Sequence, residues 1–507
     1  MRLLPVIALL LALLLALHRH QQTRHCGSLQ YGIIIDAGST GSRIHIYTFA
    51  VEPLQLLDEV FELVKPGLSA FAIDEQAAAS LDPLLDLAVH KVPLVCHSTT
   101  PMLVRATAGL RLLPGARADG ILTAVERRLR SHFNFQLDDL GAEPVAILDG
   151  KDEAWFAWLT VNYLLRRFHA PVKHATVGIV ELGGGSAQVV FEDHSEEPPC
   201  SREQCESYFQ RKRIGPHEYR VYQQSHLGYG LIEARKRLQE VLVQQVESQE
   251  DITELKLSFG ARVNMNSGVH SSTGDASSET DVLVIEHPCF AHGSMHELHR
   301  VSTRWRRIVF TGMSRHTMES DCSEVVRHAF QMTTDCEHGP DSCTFEGRFQ
   351  PPISSEVASV SDDMSTAEKG IFASSFFFEK TRLILQREQT ILEDISAVWT
   401  LKDVHALTKS VCAVSSLQRD IEQHYRELSP SLSGLFTSAL EFHEHLHGRI
   451  HASGSEESTL CLDLNYIHHL MKGLGLMEHH AIIMEKKIDG FELGWCLGAL
   501  IHILENL

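Results

Sequence analysis

Positive charge is in short supply in this chain. Against 65 Asp+Glu it carries 45 Lys+Arg, a formal net charge of −20 over 507 residues. A nucleic-acid partner would need a basic face, so the balance argues against that class of function. Long apolar runs are also missing beyond the N-terminus. The stretch through Leu497, Leu500, Ile501 and Ile503 is broken by Gly498 and His502 and reads as a core helix rather than a membrane span of roughly 20 residues. No Asn-x-Ser/Thr sequon is present, which removes N-glycosylation without excluding secretion.

The composition that is present, 44% hydrophobic and 22% charged, is ordinary for a soluble globular protein. A chain of 507 residues is too long for one core, so two lobes are expected. Arg2 precedes an apolar run from Leu3 to Leu17, then a polar stretch from His18 to His25. This reads as entry to the secretory pathway, and residues 1–25 are expected to be a signal peptide or a short signal anchor. No small-x-small cleavage site follows, so both forms stay open. Eleven cysteines in a lumenal chain imply several disulfides and an odd thiol, with connectivity left open by spacing. Glu192–Ser207, Asn264–Thr280 and Ser354–Gly370 read as surface loops between alternating strand-like and helix-like runs, the pattern of an α/β protein.

The most informative feature is an internal echo. Tyr31 to Tyr47 reads as a buried strand ending in Asp36, a turn through Gly38, Ser39, Thr40 and Gly41, and a second strand opening with Ser42 and Arg43. Val177 to Phe191 repeats the plan with Glu181, a Gly183-Gly184-Gly185 turn, Ser186 and Gln188. Such turns bring backbone close to a ligand and present N–H groups to an anion. One would be only a hairpin; two, each with an acid at the strand end, point to successive phosphates and a hard cation. Between them Asp149 to Tyr163 forms a turn and an amphipathic helix, with Asp152 and Glu153 in its first turn. Acids there complement the helix dipole, but hydrolysis of a phosphoanhydride also needs a group that orients or deprotonates water.

These residues resemble the apyrase, or nucleoside triphosphate diphosphohydrolase, family. Five ordered blocks carry the resemblance: Asp36–Arg43, Arg105–Leu113, Gly150–Tyr163, Val177–Gln188 and Glu492–Ala499. It implies an α/β, two-lobed actin-like (RNase H-like) fold with nucleotide and metal in the interlobe cleft. Lobe I would be residues 26–168 completed by 486–507, and lobe II residues 169–485. Glu153 would be the catalytic base, with Ser186 and Gln188 positioning the water. Ser39, Thr40, Gly41, Ser42, Arg43, Thr107, Gly183, Gly184 and Gly185 would hold phosphate oxygens. Asp36 and Glu181 would organise the water shell of Mg²⁺ or Ca²⁺. Phe377, Phe378 and Tyr466 fall where the family stacks the base, and serve equally well as core residues. The expected disulfides are Cys412–Cys461, Cys289–Cys343 and Cys322–Cys336.

The blocks look most like the soluble or single-anchor branch, which implies hydrolysis of nucleoside diphosphates, GDP or UDP before triphosphates, in the ER or Golgi lumen or after secretion. Two departures stand out: Glu181 replaces the family's usual Asp, and Ala154 its usual Gly; Gly185 and Ala187 also replace Ala and Thr. A weakened or inactive nucleotide-binding relative is therefore one alternative. A zinc metallopeptidase at His443-Glu444-x-x-His447 is another, although 31 histidines make chance matches to that motif expected. An actin-like chaperone or a sugar kinase is a third. A chaperone would need a client-binding module that the chain does not display, and Glu153 favours transfer to water.

Overall fold

A computed structural model describes residues 26–505 except 52–53, 139–140, 169–174, 196–207, 249–261, 264–281, 299–306, 313–318, 331–342, 352, 354–369, 386–397, 414–417, 429 and 453–457. The N-terminal segment and most of the three expected loops lie outside these residues. The chain divides into two compact units. One comprises Met1–His169, Arg213–Gly215 and Lys487–Leu507, the other Ala170–Lys212 and Pro216–Lys486.

The first unit is built on β1 (Leu29–Ala37), β2 (Ser42–Ala50), β3 (Gln55–Val64), β4 (Met102–Ala106) and β5 (Val145–Ile147), in the order β3-β2-β1-β4-β5. β1 runs antiparallel to β2 and parallel to β4. Ile33, Ile34 and Ile35 at its centre are fully buried, as a strand covered on both faces requires. Helices α1 (Arg117–His132) and α2 (Gly150–Leu164) follow β4 and β5. Asp149 caps α2 by accepting from the Lys151 amide at 2.8 Å, and Asp152 and Glu153 sit in its first turn.

Buried positions run right around α2 because the last helix, Trp495–Glu505, packs on it. Two glycines let this last helix lie close to α2 and to β1. A side chain at Gly498 would strike the Phe156 carbonyl oxygen at 2.1 Å, and one at Gly32 would strike Leu500. The Gly498 amide donates to Thr160 Oγ1 at 2.8 Å. His45 and Glu59 pair at 2.6 Å, and Glu59 also accepts from the Glu492 amide, tying this last segment to β2 and β3.

The second unit repeats the strand plan. β6 (Gly178–Leu182), β7 (Ser186–Glu192), β8 (Phe209–Ile214) and β9 (His217–Leu227) precede α3 (Leu231–Glu247). A separate four-stranded sheet follows, of β10 (Arg262–Val263), β11 (Val282–His292), β12 (Met295–Leu298) and β13 (Arg307–Gly312), with α4 (Glu319–Ala329) next in the chain. β14 (Ile371–Ser375), β15 (Val398–Thr400) and β16 (Ala481–Met484) complete a seven-stranded sheet ordered β15-β16-β14-β6-β7-β9-β8. Within it β9-β7-β6-β14-β16 matches β3-β2-β1-β4-β5 in order and sense. The hairpin strand β6 is antiparallel to β7 and parallel to β14. The echo in the sequence is thus an echo of topology, and the α/β expectation is met in both units.

Helices α5 (Leu401–Cys412), α6 (Ala439–Ala452) and α7 (Leu460–Gly473) complete the second unit. Cys412–Cys461 joins α5 to α7, as expected. The other two expected pairs are overturned: Cys289 in β11 bonds to Cys322 in α4, their Cα atoms 4.9 Å apart. That pairing removes both Cys289–Cys343 and Cys322–Cys336. Cys343 is itself disulfide-bonded, while Cys336 lies outside the described residues. A further disulfide, Cys26–Cys96, was not foreseen.

Candidate active site

In the first unit, register places Asp36 opposite Arg43 across the β1–β2 turn. Arg43 Nη1 lies 3.5 Å from Asp36 Oδ2, and its guanidinium also reaches Gly41 O and Thr40 Oγ1. Asp36 Oδ1 and the fully buried Ser42 Oγ have no hydrogen-bond partner. Burial raises the Asp36 pKa, with Arg43 acting against the rise. Buried oxygens left without donors suit a hard, oxygen-seeking cation such as Mg²⁺ or Ca²⁺.

The turn is held by two glycines, one in the loop after β3 and one in the short helix Ala108–Arg111. A Cβ at Gly67 would meet Gly38 O at 2.3 Å, and one at Gly109 would meet Ser39 Cα at 2.8 Å. Thr107, nearly buried, donates its amide to Ala37 O at 3.2 Å and so sits at the end of β1. Two residues past Gly109, Arg111 donates to Glu153 Oε2 at 2.5 Å, with both side chains largely buried. Arg111 lies in the Arg105–Leu113 block, but 42 positions separate it from Glu153, and only its charge signals a partner for the carboxylate. Ala154 is fully buried and the α2 cap is intact, so the departure beside Glu153 leaves the helix start undisturbed.

In the second unit the Gly183–Gly185 turn is gripped by its carbonyls. Leu231 N donates to Gly183 O at 2.9 Å, Ile232 N to Gly184 O at 3.0 Å and Gly228 N to Gly185 O at 2.8 Å. A Cβ at Gly230 would overlap Gly184 at 2.3 Å, which accounts for that glycine. Register sets Glu181 opposite Gln188. Gln188 Nε2 donates to Ser186 Oγ at 2.7 Å and to Ser225 Oγ at 3.2 Å, all within the sheet. Ser375 donates to Glu181 Oε1 at 3.1 Å from a backbone held at φ 59°, a strained conformation for serine. Ser225 and Ser375 were not foreseen, because strands distant in sequence bring them there.

Phe377 and Tyr466 are fully buried in the core of the second unit and Phe378 nearly so. Tyr466 also donates to Tyr229 O at 2.5 Å. No ring face is open as they stand, so core packing accounts for all three. Among the described residues the metallopeptidase motif gains no third ligand. His443 and His447 share a face of α6 with ring centroids 6.0 Å apart, yet they belong to no group of three metal-ligating side chains among the described residues.

A family model described as GDA1/CD39 (nucleoside phosphatase) matches residues 22–432. The chain belongs to this family. It is 32% identical over 496 residues to a guanosine-diphosphatase of Candida albicans, covering 95% of this chain and 72% of that one. It is 29% identical over 510 residues to ectonucleoside triphosphate diphosphohydrolase 5 of Ailuropoda melanoleuca, covering 97% and 94%. Among solved structures, nucleoside triphosphate hydrolases from Neospora caninum align over 98% of this chain and 96% of theirs, at 14% identity and a TM-score of 0.47.

Proposed function

We propose that this protein is a divalent-metal-dependent nucleoside diphosphatase that releases the terminal phosphate of GDP or UDP in the lumen of the secretory pathway. The observation that carries it is the fixed carboxylate of Glu153, anchored by Arg111 at the start of α2 beside a phosphate-type turn of the same unit. Glu153 accepts a proton from water as the water oxygen bonds to the terminal phosphorus. The bond from that phosphorus to the bridging oxygen breaks, and its electron pair stays with the departing nucleoside monophosphate. Arg111 does not act on substrate: it stops the carboxylate from rotating away, so positioning is built in before substrate arrives. Ser186 and Gln188, joined by their own hydrogen bond, orient the water.

Ser39 to Arg43, Thr107 and Gly183 to Gly185 bind phosphate oxygens, with Arg43 supplying the fixed positive charge. Asp36, with its bare Oδ1, and Glu181 would hold the water shell of Mg²⁺ or Ca²⁺, which would supply charge neutralisation at the phosphate oxygens. Three disulfides among the described residues support an oxidising compartment. The guanosine-diphosphatase relative supports a diphosphate substrate.

Phosphate release from GDP, UDP, ADP and ATP, each with Mg²⁺, Ca²⁺ or chelator, tests the proposal. Metal-dependent release favouring GDP or UDP is expected. Preference for ATP would overturn the substrate, and no release from any nucleotide would overturn the activity.

A further inference from the structure

The second unit carries a group of potential metal ligands that the nucleotide chemistry does not use. His405 on α5, His468 on α7 and Glu478 in the turn after α7 each offer one ligand atom, all within 4.8 Å of one another. Their placement follows from antiparallel packing of the two helices. The Cys412–Cys461 disulfide pairs them at one end, and seven residues along each, about 10.5 Å or two turns away on the same face, stand His405 and His468. Their rings stack with centroids 4.3 Å apart. His468 is 4% exposed, and neither ring nitrogen has a hydrogen-bond partner. A buried imidazole left in that state normally has an account to give, and a coordinated metal is one.

We propose that His405, His468 and Glu478 form a zinc site that clamps α5, α7 and the following turn together. Two imidazoles and one carboxylate suit Zn²⁺, which takes nitrogen and oxygen ligands in a tetrahedral shell; solvent would supply the fourth position. A tetrahedral site with bonds near 2.1 Å needs ligand atoms about 3.4 Å apart. The present spacing therefore closes by rotation of the exposed Glu478 and the half-buried His405 onto the fixed His468. Lys409 and Lys472 add positive charge nearby, but Lys409 is ion-paired with Glu427 at 3.1 Å. The hard-cation residues Asp36 and Glu181 are oxygen donors of another class, so the two sites select different metals.

The test uses the full chain, stripped with chelator and then titrated with Zn²⁺ in saturating Mg²⁺, so that the hard-cation site is filled. Bound zinc per chain and the zinc-dependent rise in melting temperature are read for wild type, His405→Ala and Glu478→Gln. Glu478 is exposed, so its variant keeps the fold and the comparison stays decisive. Each substitution is expected to remove one equivalent of bound zinc or weaken it by at least about tenfold, and to abolish most of the melting rise. Unchanged stoichiometry, affinity and melting rise in both variants would overturn the site and assign the zinc to other histidines.

Discussion

Gly498→Ala makes the sharpest test of how the first unit is assembled, because two opposed effects of known size meet at one atom. In a helix, alanine replacing glycine gains about 1 kcal/mol from backbone propensity alone. At Gly498 the added Cβ would lie 2.1 Å from Phe156 O, with Phe156 C at 2.9 Å and Cα at 3.1 Å. The obstacle is the backbone of α2, which cannot swing aside as a side-chain end can. Restoring an ordinary contact requires the last helix to retreat by roughly 1 Å, stretching the Gly498–Thr160 hydrogen bond. Overpacking of this kind costs about 1–3 kcal/mol, and the backbone obstacle places this case at the upper end.

The net expectation is a loss of about 2 kcal/mol, or roughly 4–8 °C in the melting temperature of a unit of this size. Gly494→Ala, in the same motif, meets nothing within 4 Å and serves as the control. Thermal unfolding of both variants followed by circular dichroism decides the matter. A Gly498→Ala protein as stable as wild type, or more so, would refute the close-crossing argument. Since α2 carries Glu153, turnover should fall with stability in Gly498→Ala and stay unchanged in Gly494→Ala.

Other consequences can be checked alongside. Arg111→Ala leaves Glu153 without its anchor and should lower kcat by about 10–100-fold with little change in KM, read by steady-state phosphate release. Replacing Cys412 and Cys461 with serine frees a 49-residue separation and should cost about 4 kcal/mol in denaturant unfolding, on the chain-entropy account. His226 and His287 are buried with pKa values pushed down to about 3 by desolvation, and secondarily by Arg348 and His296 respectively. Unfolding returns both to about 6.5, so the unfolded chain takes up more protons below that pH. Stability from these two is present above pH 6.5 and is lost as pH falls toward 3. Between pH 7.5 and 5.5 these two histidines together should contribute a loss of about 3 kcal/mol, and His226→Gln should remove about half of that contribution.

Much of the fold was legible in the sequence because hairpins are local. The Asp36 and Glu181 turns each lie within about twenty residues of chain, so strand, acid and glycine can be read together, and the structure gives both the same strand order. Pairings between distant segments were not legible. Ser375 reaches Glu181 only because β14 lies beside β6, and Cys289 meets Cys322 because α4 packs on β11; no spacing rule encodes either. Arg111 was visible as a residue but not as a partner, since 42 positions separate it from Glu153. For Phe377 and Tyr466 the sequence left base stacking and core packing open, and both rings are buried in the core of the second unit.

The central claim is that Glu153 activates the attacking water. Glu153→Gln keeps the shape of the side chain and its contact with Arg111 while removing the carboxylate, so nucleotide binding is expected to survive. Single-turnover phosphate release from GDP, measured with GDP affinity on the same protein, should show hydrolysis slowed by about 10²–10⁴-fold at nearly unchanged affinity. Hydrolysis within a few-fold of wild type would contradict the assignment and move the role of base to another group.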